Sequence, residues 1–298
     1  YRNEAEKILK AMNERLWLPG KGHWAEYQDF MGHKRVHESA AVWTIYHAID
    51  SETANPFQAY QATRYIDTAI PHIPVTAHGL KENGYATIAT TNWLPYSWSV
   101  NNIAFAEVMH TALSYFQAGR ADAGYKLLKS SVLDGMYLGD SPGNFGQISF
   151  YDAARGECYR DFGDPIGVAS RVLIQGLFGI LPDALNQQII LRPGFPDDWD
   201  KASVSTPDIN YRFTRKEDTD TYHITQRFQT PLHPVLQINA RKEKIRSVKV
   251  NGVPATWQSI ESAHGYPLLS IQAEGTSSTT ITIEWEGASL HTLAVQEL

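Results

Sequence analysis

Apolar residues recur every three to four positions from Tyr1 to about Pro182, and at every second position beyond it. A helix returns to one face every 3.6 residues and a strand every two, so this change of period predicts helices followed by strands. In the first part, Ile8, Leu9, Met12 and Leu16 make one stripe over Tyr1–Leu16. Val36, Ala40, Trp43 and His47 mark a second helix over Val36–Asp50. Asn55-Pro56 opens a third, with proline where its fixed φ suits the first turn, and Pro71 and Pro74 close it. Three more follow over Ser99–Ala118, Ala121–Leu133 and Pro165–Ile180, giving three helical hairpins. In the second part, strands are expected over Gln188–Arg192, Ser203–Thr206, Ile209–Arg215, Thr221–Gln229, Val235–Ala240, Ile245–Val250, Leu268–Ala273 and Thr279–Trp285. Asn251-Gly252 is a hairpin signal, because both residues accept the positive φ of a tight turn. Many short strands with turn signals predict an antiparallel β-sandwich.

The connections between helices are unequal. Trp17–Arg35, Pro71–Ser97 and Met136–Asp164 are long and aromatic, whereas Ser51–Asn55 and Gly119–Arg120 are short. Connections in a run of antiparallel helices alternate between ends, so the three long loops should gather at one end. Loops held by a rigid scaffold are where binding and chemistry concentrate.

Composition narrows the partners. The chain has 298 residues, 43% hydrophobic, with a net charge of −6 and no basic run. That excludes a nucleic-acid footprint and fits one large or two medium domains. No stretch approaches the ~20 apolar residues of a membrane helix. The single cysteine, Cys158, leaves no intrachain disulfide. The chain opens without Met on a helical pattern, which reads as a processed fragment with an upstream region.

The rim residues suit a neutral polar ligand. Cleaving a glycosidic bond takes a proton donor and a second carboxylate. In the first loop Glu26 and Asp29 are flanked by aromatics that could raise a carboxyl pKa, and Trp24 and Tyr27 could stack on a sugar ring. Alternatively, Glu26 pairs with Lys34 or Arg35 and the aromatics pack the loop. The second loop offers Trp93, Tyr96 and Trp98 as stacking platforms and Asn101 and Asn102 as hydroxyl partners. Glu107, about 10 Å down the following helix, suits a pocket floor, and His110 shares its face. A buried Glu107–His110 pair is the structural alternative. One Glu-x-x-His is half of a di-metal signature and no second copy is present. In the third loop Tyr151 and Arg155 are ligand candidates, and Asp164 before Pro165 reads as a helix cap. His33 and His37 are spaced as i, i+4 but lack a third ligand, so His33 is taken as polar lining and neither a metal nor another cofactor is expected.

Ser170-Arg171-Val172-Leu173-Ile174-Gln175-Gly176-Leu177-Phe178-Gly179-Ile180-Leu181-Pro182-Asp183-Ala184, followed by Ile190-Leu191-Arg192-Pro193-Gly194-Phe195-Pro196-Asp197-Asp198-Trp199, resembles the last barrel helix and trailing sandwich of the six-hairpin (α/α)6-barrel glycosidases. Val248-Lys249-Val250-Asn251-Gly252 resembles a hairpin of that sandwich. Within the superfamily the chain is similar to a glycosidase-like family of bacterial polysaccharide degraders. The resemblance implies a sugar-processing enzyme, typically inverting, with two carboxylates at one mouth of the barrel. It also implies that three hairpins are half of a toroid, the rest coming from upstream or from a second chain, and that one carboxylate can come from that other half. It transfers no catalytic label onto Glu26, Asp29 or Glu107.

The expected architecture is therefore α then β: a half toroid over 1–183 and an antiparallel β-sandwich over 184–298. The expected function is glycoside hydrolysis on a carbohydrate, in the periplasm or outside the cell. The alternatives are a polysaccharide lyase recruiting Tyr96, His110, Asn101 and Arg155, or a glycan-binding protein without catalysis.

Overall fold

The computed structural model describes residues 1–76, 80–93, 100, 102–138, 163–262 and 267–290, with the backbone of strands at 150–152 and 157–159. The chain divides into two compact units, Tyr1–Gly176 and Leu177–Leu298, a division earlier than the one expected after residue 183.

The first unit opens with α1 (Arg2–Arg15), then two small hairpins, β1 (Trp17–Leu18) with β2 (His23–Trp24) and β3 (Tyr27–Gln28) with β4 (Val36–His37). Helices α2 (Val42–Asp50) and α3 (Pro56–Ala69) follow, then a ladder of β5 (His72–Pro74) with β6 (Ala86–Ile88). Strand β7 (Asn102–Ala104) leads into α4 (Phe105–Gln117), and α5 (Ala121–Val132) continues as a π-helical turn over Leu133–Leu138. Strands β8 (Phe150–Asp152) and β9 (Glu157–Tyr159) extend β7 into a three-stranded ladder before α6 (Asp164–Arg171), whose end is again π-helical over Val172–Leu177.

Local chemistry sets these ends. Asn55 and Gln58 form a reciprocal capping box at the start of α3, with Pro56 in its first turn, as the sequence predicts. Helix α2 starts later than the expected Val36, because Val36 and His37 pair with Gln28 and Tyr27 as a strand. Helix α4 likewise starts after Ser99, because Asn102–Ala104 is extended and paired with β8.

Helix α4 is the centre of this unit, packing against α2, α3, α5 and α6. It buries Phe105, Val108, Met109, Leu113 and Phe116 among others. The Phe116 ring fits only because two neighbours are glycines: a Cβ at Gly176 would lie 2.6 Å from the ring, and one at Gly124 3.1 Å. Helix α1 buries no residue at all, and α6 itself only Pro165. Asp67 of α3 binds Arg64 at 2.8 Å, Arg120 at 2.5 Å and the Tyr115 hydroxyl at 2.5 Å, tying α3 to the C-terminal end of α4 and the short turn after it.

The second unit holds two sheets. One has five strands in the order β10 (Ile180–Asp183), β11 (Gln188–Leu191), β15 (His233–Asn239), β19 (Leu268–Gln272) and β18 (Gln258–Ile260). The other has six, in the order β12 (Lys201–Ser205), β13 (Ile209–Lys216), β14 (Thr219–Gln226), β20 (Ser278–Ser289), β16 (Lys242–Val250) and β17 (Val253–Pro254). Strict alternation shows in β14, where Asp220, Tyr222, Ile224 and Gln226 are buried between half-exposed neighbours. Buried Asp220 is matched by Arg215 at 2.9 Å and by the Trp285 indole N–H at 3.0 Å. Asn251 and Gly252 turn β16 into β17 with φ of 51° and 80°, as their sequence signal predicts. Two expectations need correcting. Ile180 begins a strand rather than ending a helix, because Gly179 turns the chain with φ 65°. The sheets are not purely antiparallel, since β11 runs parallel to β15.

Candidate active site

The long loops do meet at one end of the helical unit. The Val42 amide at the start of α2 donates to Thr90 O at 3.0 Å, and the Thr90 amide donates to Asn102 O at 3.2 Å. The His37 and Trp93 rings lie 4.4 Å apart, which brings the first loop against the second. Strand β7 pairs with β8, which brings the second against the third.

Glu26 sits where these loops reach α2, and both its oxygens are engaged there. Oε2 accepts from the Ala41 amide at 2.8 Å and the Thr44 hydroxyl at 2.6 Å, and Oε1 from the Trp43 indole N–H at 2.5 Å. Ala41 has no side chain able to cap the helix it precedes, so a carboxylate from the first loop does so. The expected partners Lys34 and Arg35 are not its contacts. This arrangement fixes Glu26 as the clamp between loop and helix.

The other expected residues of this loop divide between core and surface. Trp24 is only 1% exposed and packs edge-on against Trp17 at 4.6 Å, so it cannot present a stacking face to a ligand. Tyr27 is exposed and stacks on His37 with centroids 5.1 Å apart. Asp29 is half-buried where β3 turns, its amide donating to Arg35 O at 2.8 Å. His33 is exposed in the β3–β4 turn and His37 is in a strand, so the i, i+4 spacing never becomes a shared helical face.

In the second loop, Trp93 is half-buried with its indole nitrogen buried and unpartnered. Asn102 is fully buried in β7. Tyr96, Trp98, Asn101 and Arg155 lie outside the described residues, as does the side chain of Tyr151.

Deeper, three helices bring titratable side chains together. Glu107 stands in the first turn of α4, and the Tyr46 hydroxyl of α2 is hydrogen-bonded to its carboxyl. Its Oε2 is buried with no hydrogen-bond partner. Burial pushes the Glu107 carboxyl up, the Tyr46 hydrogen bond lowers it in part, and the charge of Asp164 pushes it up further. Burial and the neighbouring carboxyl together hold the Tyr46 phenol protonated far above the usual range. The acid's partner is thus Tyr46 rather than His110, whose ring instead packs on Tyr46 at 4.7 Å. Burial, with Arg171 nearby, lowers the His110 pKa. Farther along, Asp50 of α2 takes two bonds from Arg171 of α6, at 2.8 and 2.6 Å, and one from Gln117 of α4 at 2.9 Å.

Asp164 departs from the sequence expectation. Gly163 is the N-cap of α6, and Asp164 is its exposed first residue, with no capping bond from a side chain there. Its charge acts on Glu107, Tyr46 and His110. Tyr46, Asp50 and Arg171 were also missed. The signal that could have found them is positional: each lies on a helix that follows a long loop, as Glu107 does.

A scan against family models finds no match to this chain, and a search of curated proteins finds none. Among solved structures, an alpha-L-rhamnosidase from Dictyoglumus thermophilum is similar over 96% of this chain and 29% of its own, at 12% identity and a TM-score of 0.49. A structure described as a glycoside hydrolase is similar over 95% of this chain and 52% of its own, at 11% identity and a TM-score of 0.36. A beta-L-arabinofuranosidase from Geobacillus stearothermophilus T6 is similar over 83% and 42%, at 10% identity and a TM-score of 0.33. The chain thus spans about half or less of each of these proteins.

Proposed function

We propose that the protein hydrolyses glycosidic bonds, with Glu107 as the proton donor and Asp164 as the second carboxylate. The observation that carries this is the Glu107 carboxyl: hydrogen-bonded to Tyr46, kept toward its neutral form by burial, with a buried oxygen left without a partner. A buried polar atom without a partner calls for an explanation, and a proton waiting for a leaving oxygen supplies one. Asp164 is exposed at the start of α6, where water can reach it, and its charge acts directly on Glu107. Two carboxyls in unlike surroundings divide the roles of acid and base. Tyr46 orients the acid and, held protonated, is itself unsuited to abstract a proton, which argues against a lyase built on it. Glu26 positions the start of α2, from which Tyr46 projects.

The same proposal takes the sugar as entering past Tyr27 and Trp93, in a periplasmic or extracellular setting. The exposed Ile8 and Leu9 of α1, with Ile166 of α6, support a further helical surface closing on this unit.

The test is hydrolysis of a panel of aryl glycosides and oligosaccharides by the wild-type protein and by Glu107→Gln and Asp164→Asn. General acid–base groups contribute roughly 10²–10⁴-fold. Each variant should lose that much in kcat/KM on whichever glycoside is turned over. Wild-type rates in Glu107→Gln would overturn the proposal.

A further inference from the structure

We infer that the β-sheet unit carries a second, non-catalytic ligand site, a cleft lined by strands of both its sheets that binds a neutral polyhydroxyl ligand such as a short oligosaccharide. The cleft holds about 490 Å³, within the range of ordinary small-molecule sites and large enough for one or two sugar rings.

One side comes from the five-stranded sheet. Gln188 of β11 lies opposite His233 of β15, and Val235 of β15 opposite Gln272 of β19, so these four share one face of the sheet. The other side comes from the six-stranded sheet, whose Asn251-Gly252 turn brings Val253 and Pro254 to the cleft. This gives the tight turn a use beyond chain reversal. Val253, which is 65% exposed, and Pro254 supply an apolar surface that can take the C–H face of a ring.

The polar groups are of one kind and are unspent. Among the described residues, the side-chain amides of Gln187, Gln188 and Gln272 have no partner within the chain. A primary amide offers two donors and an acceptor side by side, which matches a pair of adjacent hydroxyls. His233 is set as a donor, because its Nδ1 accepts from the Gly275 amide at 3.0 Å and leaves the ring proton on Nε2. That bond also means the 3.7 Å approach of Glu274 to Nδ1 is not a working ion pair. The wall is preset: Asp183 caps Asn186 through its amide at 3.3 Å and its side chain at 2.7 Å, and the His233 amide binds Gln187 O at 2.8 Å.

The same lining rejects other ligands. It contains no lysine or arginine, and Glu274 is its one carboxylate, so an anion finds no counter-charge. Strands β11, β15 and β19 are interior to their sheet, and the edge strand on the other wall, β17, is two residues long and ends in Pro254, which has no N–H to donate to a peptide strand. The absence of an aromatic platform in the lining fits weak, hydroxyl-directed recognition.

The experiment uses the full chain and its amide NMR signals. Neutral trisaccharides of glucose, xylose, mannose, galactose and arabinose are titrated at millimolar concentration, with galacturonate as an anionic control. At least one neutral sugar should shift the Gln188 and Gln272 side-chain amides, and galacturonate should not. The double variant Gln188→Ala/Gln272→Ala should weaken that binding at least tenfold, and Ala255→Trp should block it. Glu107→Gln should leave it unchanged, which separates this site from the proposed hydrolytic one. No shift in the cleft with any neutral sugar, equal binding by the double variant, or a preference for galacturonate would each overturn the inference.

Discussion

The Arg192 amide donates to Gly179 O at 2.8 Å, and a Cβ on Gly179 would stand 2.0 Å from Arg192 O. Gly179 and Arg192 belong to the two sequence stretches that carry the glycosidase resemblance, and the fold lays one against the other. Phe178 and Phe195 follow suit with rings 5.5 Å apart, and the Gly194 amide donates to Leu177 O at 3.0 Å. The resemblance therefore rests on a packing junction at the start of the β-sheet unit, not on a reacting group.

Gly179→Ala should accordingly damage folding. The residue has φ of 65° and its Cβ would collide with backbone, which has no flexible end to yield. A loss of about 2 kcal/mol or more is expected. Urea unfolding followed by Trp fluorescence measures it, and a loss below about 0.5 kcal/mol would contradict the geometry.

Much of the fold was legible because its signals are local. The change of period near Pro182, the Asn55-Pro56 start of α3 and the Asn251-Gly252 turn each depend on a few adjacent residues, and each appears where expected. What was not legible depends on distant partners. The start of α2 could not be placed because its cap, Glu26, comes from an earlier loop and looks from the sequence like a free acid. The β7 strand was read as helix because its partner β8 lies in another loop. Within the site, the depth of Glu107 below the rim followed from helical rise, but Tyr46 did not, since nothing near Tyr46 in sequence announces a carboxyl. Asp164 was read as a cap from the Asp-Pro pair, a local rule that cannot tell whether an acid turns to its own helix or to a neighbour's.

Glu26→Gln separates a cap from a catalyst. The amide retains one acceptor oxygen and turns an NH₂ group toward donors, so at least one of the three bonds fails. A stability loss of about 1–2 kcal/mol is expected, as for other N-caps. Glycoside turnover per folded molecule should fall far less than in Glu107→Gln. Equal losses of kcat in the two variants would return Glu26 to the reacting groups.

Arg171→Ala should change how the helical unit responds to acid. Burial raises the Asp50 pKa, but the bonds from Arg171 and Gln117 outweigh it and hold the carboxyl below its usual range. A depressed pKa gives stability that is present above the unfolded value and lost as pH falls through the folded one. The pair is partly exposed, so removing Arg171 should cost only about 1 kcal/mol at neutral pH. Below the folded pKa, Asp50 is protonated in both proteins and their stabilities should converge. Chemical denaturation at pH 7 and at successively lower pH tests this, and a gap that does not narrow as pH falls would rule out the pair as its source.

Glu107 should behave in the opposite sense. Its pKa is raised in the folded state, chiefly by burial and also by the charge of Asp164. Such a group gives stability that is complete below the unfolded carboxylate pKa and is lost as pH rises through the folded one. Above that folded pKa the protein bears the cost of a charge it keeps out of water, which active sites tolerate and structural sites do not. Glu107→Gln removes that charge while keeping a hydrogen-bonding group beside Tyr46. The variant should be more resistant to heat than the wild type at pH 8, by a few degrees, and should lose the advantage by pH 4, where the wild-type carboxyl is protonated as well. Differential scanning calorimetry at the two pH values reads both effects. A variant less stable than wild type at pH 8 would mean that Glu107 serves as a structural anion, and the proton-donor role would fall with it.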